Sequence, residues 1–109
     1  MKHEASRSVP RYAWAIQVQL VDPQSKRKIT GQTRDLSLFG CSVAASERFQ
    51  RGTRVNLAFF HRGACVKGFA RVVYATPELG MGLAFSDIEH GQERILEGWI
   101  AELAAIPVI

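Results

Sequence analysis

No HExxH, GxSxG or glycine-rich phosphate loop occurs in this sequence, and its three histidines, His3, His61 and His90, are too scattered to give a metal-ligand spacing. Neither a catalytic residue nor a metal site is therefore expected, and no cofactor is implied. Cysteine is also scarce. Cys41 and Cys65 have neither a CxxC spacing nor a neighbouring histidine pair, and both fall in predicted strands, so they read as reduced core residues. The longest apolar runs are a few residues, far short of the ~20 that cross a bilayer, so no membrane span is expected. Met1 to Arg11 is polar, with no apolar segment of signal-peptide length, and the expected location is cytoplasmic.

What remains is an ordinary globular composition, 47% apolar and 22% charged, in 109 residues that suit one hydrophobic core. Charge is unevenly placed. Residues 1–60 hold ten Lys and Arg against four Asp and Glu, whereas residues 61–109 hold four against six. An anionic partner would dock on the first half.

Residues 1–11 have no apolar period and contain Pro10, so they read as a flexible arm. Tyr12, Trp14, Ile16, Val18 and Leu20 then fall on alternate positions, the pattern of a half-buried strand. Asp22-Pro23-Gln24-Ser25 supplies a turn, and further strands are expected over about 28–34, 41–45, 54–60, 65–75 and 81–85. The last segment changes period. Ile88, Ile95, Trp99 and Leu103, widened by Leu96, Ile100 and Ile106, predict an amphipathic helix over about 87–105, with Ser86 and Glu89 placed to form a capping box. Its five acidic residues against Arg94 suit neither nucleic acid nor anionic lipid, and its apolar stripe suits closing one end of a barrel. Strands in succession, with no crossover helices between them, predict a mainly β fold: six antiparallel strands in a barrel with a C-terminal helix, one domain over 12–109.

Two short clusters carry the functional signal. Arg7 and Arg11 stand four apart in the arm, and arginine presents a planar fork of donors suited to phosphate oxygens and to the O6/N7 edge of guanine. Asp35-Leu36-Ser37-Leu38-Phe39-Gly40 follows the second predicted strand. A carboxylate can accept from the N1 and N2 donors of guanine, a hydroxyl can bond a phosphate or a backbone group, and glycine lets a large ligand approach the main chain. If extension continues through this cluster, Leu36 and Leu38 face away from Asp35 and Ser37. Taken singly, Asp35, Ser37 and Gly40 are also ordinary turn residues.

In combination, RxxxR before the first strand and DxSxxG after the second resemble the two-part ligand signature of PilZ domains, the bacterial receptors for cyclic di-GMP. The likeness covers nearly the whole chain: Gly52-Thr53-Arg54-Val55 is similar to the family's loop into its middle strand, Ala70 to Tyr74 to its fifth strand, and Gly80 to Phe85 to its last. It implies a six-stranded split barrel whose arm wraps over the ligand. By that resemblance Arg7 and Arg11 take phosphates and guanine edges, Asp35, Ser37 and Gly40 line the barrel face beneath a guanine, and Tyr74 holds the place of a stacking aromatic. Many members carry a further arginine just before the first motif arginine; here that residue is Ser6, which implies one bound nucleotide per domain rather than a stacked pair. The output then passes through an effector protein. The alternatives are an adaptor of the same fold that ignores nucleotide, and a nucleic-acid-binding barrel, the latter disfavoured because the alternation turns Tyr12 and Trp14 to the core side.

Overall fold

In the computed structural model, residues 10–105 are described. Within them seven strands, β1 (Tyr12–Ala13), β2 (Gln17–Val21), β3 (Lys28–Leu36), β4 (Gly40–Ala44), β5 (Arg54–His61), β6 (Ala64–Thr76) and β7 (Gly80–Ile88), precede one helix, α1 (Glu93–Ala104). Every pairing is antiparallel. The hydrogen-bonded order β3-β2-β5-β6-β7-β4 returns on itself through a β3–β4 pairing, which closes a six-stranded barrel and leaves β1 as a short addition to β3.

Alternation places the core. Val18 and Leu20 of β2, Val55, Leu57 and Phe59 of β5, Val66, Ala70 and Val72 of β6, and Met81 and Leu83 of β7 are all buried inside the barrel. Phe59 meets Phe85 edge to face at 5.8 Å. β5, whose sequence alternates less cleanly than its neighbours, does alternate in burial from Arg54 to Phe60. Cys41 is buried, and desolvation, with the Asp35 carboxylate close by, pushes its thiol well above the usual range; Cys65 is only half-buried.

The expected first strand is two. Pairing breaks at Trp14–Ile16, and the buried Thr33 stitches the break: its hydroxyl accepts from the Ile16 N–H at 3.0 Å and donates to the Trp14 carbonyl. Thr33→Val is expected to cost about 1–2 kcal/mol, because it leaves a buried donor and a carbonyl unpaired. Urea unfolding would measure the loss; a midpoint equal to wild type would remove the stitch from the account.

The helix also begins later than its sequence predicts. Ser86, Asp87 and Ile88 continue β7, with Asp87 opposite Phe69 and Ile88 opposite Gly68, so the expected capping box does not form. The long β6 offers those residues ladder hydrogen bonds, and a local cap is the weaker alternative. Gln92 takes the N-cap position without a side-chain cap and instead accepts from the Lys67 N–H at 2.6 Å. Leu96 and Trp99 enter the barrel core, while Ile106 of the predicted stripe lies outside the described residues. Trp14, His61 and Trp99 meet edge to face, with centroids 4.5 to 5.6 Å apart, and so tie α1 to the segment that follows the arm.

Candidate functional site

An irregularity in β3 aims the first site residue outward. Ile29 and Thr33 point inward, and strict alternation would put Asp35 inside as well. The register against β4 instead shifts between Thr33 and Asp35, and this bulge sends Arg34 and Asp35 both to the outer face and returns Leu36 to the core. Arg34 then donates to the Leu79 carbonyl.

Asp35 is the end of an unbroken row. It pairs with Ser42 of β4, Ser42 with Gly82 of β7, and Gly82 with Tyr74 of β6. Neighbouring positions Cys41, Val43, Met81 and Leu83 are in the core, so this row faces out. Its middle is two small residues between a carboxylate and a phenol, a floor that is covered in this structure, with both Ser42 and Gly82 buried. A Cβ on Gly82 would overlap the Tyr74 ring, which lies over it. Ser42 and Gly82 are absent from the sequence-derived site; the available signal was small residues at outward positions of strands that flank Asp35 and Tyr74.

β1 brings the arm to this floor. Its pairing with β3 sets Tyr12 opposite Leu36 and Ala13 opposite Asp35, so Arg11 arrives beside Asp35. The guanidinium donates to Asp35 Oδ1 at 3.2 Å, and the Ser42 N–H donates to the same oxygen at 3.2 Å. Oδ2 has no partner among the described residues. Arg7 lies outside the described residues.

Ser37 and Gly40 serve the turn between β3 and β4. Ser37 is buried; its hydroxyl accepts from the Phe39 and Gly40 N–H groups and donates to the Gly40 carbonyl, each at 3.2 Å, and its own N–H donates to that carbonyl at 2.9 Å. Extension does not continue through the cluster: Leu36 is inside, Ser37 is taken up in the turn, and Leu38 and Phe39 are exposed. A Cβ on Gly40 would overlap the Leu83 carbonyl oxygen, so the close approach that requires this glycine is between β4 and β7. Arg11, Asp35 and Tyr74 thus border one surface, and Ser37 and Gly40 hold the turn at its edge.

A PilZ domain model matches residues 5–102, most of the chain. The chain belongs to the PilZ domain family. Solved PilZ structures share its fold. The PilZ domain of CeSA from a cellulose-synthesizing bacterium is 21% identical with a TM-score of 0.69, over 87% of this chain and 98% of that one. The PilZ domain of YcgR from Escherichia coli, solved with c-di-GMP, is 15% identical with a TM-score of 0.72, over 90% and 91%. The Bacillus subtilis inhibitor of motility MotI/DgrA is 20% identical with a TM-score of 0.69; 93% of this PilZ chain spans 53% of its length. No curated protein sequence matches. Among the described residues no helix is long and apolar enough to cross a membrane, and no three His, Cys, Asp or Glu gather as a metal site.

Proposed function

We propose that this PilZ domain is a cytoplasmic receptor for cyclic di-GMP which performs no catalysis, orders its N-terminal arm over the bound nucleotide and signals to an effector protein. The observation that carries the reading is the outer row Asp35–Ser42–Gly82–Tyr74, with Arg11 already drawn onto Asp35. In it a guanine sits at the Asp35 end of the row, its N1 and N2 donors on Asp35 Oδ2, and Tyr74, whose ring covers Gly82, swings off the row to stack on the base. Arg11 and Arg7 take phosphate oxygens and guanine edges. Ser37 and Gly40 act by fixing the turn that presents Asp35. The c-di-GMP held by the YcgR PilZ domain, which shares this fold, supports the choice of ligand.

Fixing each arm residue costs about 1–2 kcal/mol of backbone entropy, so the arm closes only when phosphate and base contacts act together. Amide exchange over residues 2–11 should slow when ligand is added; equal exchange with and without it would end the switch. Ser6, in place of a further arginine, points to one nucleotide per domain.

Calorimetric titration with cyclic di-GMP, with GTP as the control ligand, tests the receptor itself. Arg11→Ala is expected to lose about 1.5–3 kcal/mol, tenfold or more in affinity, by removal of charge-assisted bonds. Full affinity in Arg11→Ala would displace the site from this surface, and saturation at two nucleotides per chain would overturn the single-site reading. An absence of any binding would leave an adaptor that works through protein contacts alone.

A further inference from the structure

β7 runs past the strand that flanks it. β4 begins at Gly40, opposite Ala84, and the Phe85 N–H still reaches the Phe39 carbonyl. Beyond that bond Ser86–Ile88 has β6 on one side and, among the described residues, no strand on the other. A closed barrel has edges only where one strand outruns its neighbour, and this is a short one. Between it, the tip of the β3–β4 turn and α1 lies a hollow of about 340 Å³. Its inner wall is Phe85, Ile88 and Leu96, which belong to the core or pack on it. Leu38 and Phe39, 43% and 52% exposed, stand on its outer side.

The rim is of one sign. Asp87, Glu93 and Glu97 line the hollow, and no Lys or Arg does. Among the described residues none of these carboxylates is in an ion pair. Glu93 and Glu97 are four apart on α1, where like charges repel. The cations nearby are engaged or turned away. Arg11 is held by Asp35, Arg71 donates to the Gly52 carbonyl, and Lys67 lines a cavity on the β5 side of β6 together with Glu89. Arg94 is exposed, about 100° further round the helix than Glu93. Asp87 alone would read as a guard against strand pairing. That reading leaves Glu93, Glu97 and two exposed apolar side chains beside them unexplained.

We propose that this hollow is the docking surface for an effector and takes an extended basic segment of it. The segment adds to the open edge of β7, seats an apolar side chain against Phe85, Ile88 and Leu96, and sets Lys or Arg on Asp87, Glu93 and Glu97. Nucleic acid and anionic lipid are repelled by such a rim. A second copy fits worse, because its exposed apolar side chains bring acids with them. Phe69, although flanked by Lys67 and Arg71, stands opposite Asp87; Leu79 follows Glu78; Leu38 and Phe39 belong to the hollow itself. Phe60 is near Arg62, whose guanidinium Glu102 holds, and Val73, near Arg71, is too short to fill the space. The chain's own arm, with Lys2 and Arg7 against Glu4, would have to be fixed here without the phosphate and base contacts that offset its entropy. The inference rests on the effector part of the reading above and is independent of nucleotide binding.

The test is selection of a random peptide display library on the whole protein, followed by affinity measurement on wild type, Leu38→Ser and the Glu93→Gln/Glu97→Gln double variant. Enriched peptides should carry Leu, Ile, Phe or Trp beside Lys or Arg. They should bind Leu38→Ser at least about tenfold more weakly, the scale of loss at an interface anchor. The double variant should lose about fivefold, as two exposed ion pairs would, and its binding should depend less on salt than that of wild type. Unfolding midpoints near wild type and unchanged cyclic di-GMP affinity in the variants would show the hollow alone to be altered. No enrichment, enrichment of acidic peptides, or equal binding by the variants would overturn the proposal. So would a dimer in sedimentation that Leu38→Ser dissolves, which gives the hollow to a second copy. Amide protection of residues 2–9 without nucleotide, lost in Leu38→Ser, would give it to the arm and overturn the proposal as well. Peptide binding as expected in a protein that ignores cyclic di-GMP would sink the nucleotide reading and leave this one standing.

Discussion

Asp35→Ala is expected to weaken cyclic di-GMP binding by about 100-fold or more, since the carboxylate would accept two guanine donors in charge-assisted bonds worth roughly 1.5–3 kcal/mol each. The same change removes the acceptor that draws Arg11 to the barrel and the partner of the Ser42 N–H. Asp35→Asn separates these roles. It keeps one carbonyl oxygen for the Ser42 N–H but carries no charge for Arg11, and its amide donors oppose those of guanine. Asn is thus expected to bind nearly as poorly as Ala while unfolding closer to wild type. Calorimetry and urea unfolding on both variants check this; Asp35→Ala with wild-type affinity would remove the Asp35–Tyr74 row as the floor of the site.

What the residues announced and what they concealed divide along a physical line. Alternation from Val18 to Leu20 and across Met81 to Phe85, and the 3.6-residue period of the last segment, report burial on one face, and the barrel, its core and the Leu96–Trp99 stripe were legible from them. Events that break a period were not. The bulge at Arg34 depends on how β3 meets β4, a contact between strands that no local pattern records. Strict alternation turns Asp35 inward, and what makes it a candidate in the sequence is carboxylate chemistry together with the DxSxxG resemblance, neither of which carries geometry. The break at Trp14–Ile16 leaves the alternation of Trp14, Ile16 and Val18 intact while dividing the strand.

Competition between local and distant partners explains the other differences. Ser86 and Glu89 form a good capping signature, yet residues 86–88 lie beside a β6 thirteen residues long and pair with it. The sequence leaves Ser37 two parts, a hydroxyl for phosphate or backbone and an ordinary turn residue, and in the ligand-free fold it closes the turn on Phe39 and Gly40. Ser42 and Gly82 have no chemical signature at all. Their place in the row comes from strand register between Asp35 and Tyr74, and both are buried there.

Gly40→Ala is expected to lower stability by about 3 kcal/mol, the upper end of overpacking costs, and to bring the unfolding temperature down by roughly 10–20 °C for a domain of this size. The added Cβ would fall on the Leu83 carbonyl oxygen, which belongs to the backbone and cannot rotate away, so β4 and β7 must separate along the Gly40–Ala84 register. That pairing closes the barrel next to the floor, and separation would also release the turn whose carbonyl holds the Ser37 hydroxyl and N–H. Two accounts of this glycine then part company. If it serves the close approach of ligand to main chain, Gly40→Ala loses affinity with its thermal midpoint intact. If it serves the approach of β4 to β7, the midpoint falls in ligand-free protein, and affinity falls with it because Asp35 and Ser42 no longer hold their register. Thermal unfolding without nucleotide decides between them, and a ligand-free midpoint within a degree or two of wild type would return Gly40 to the binding surface.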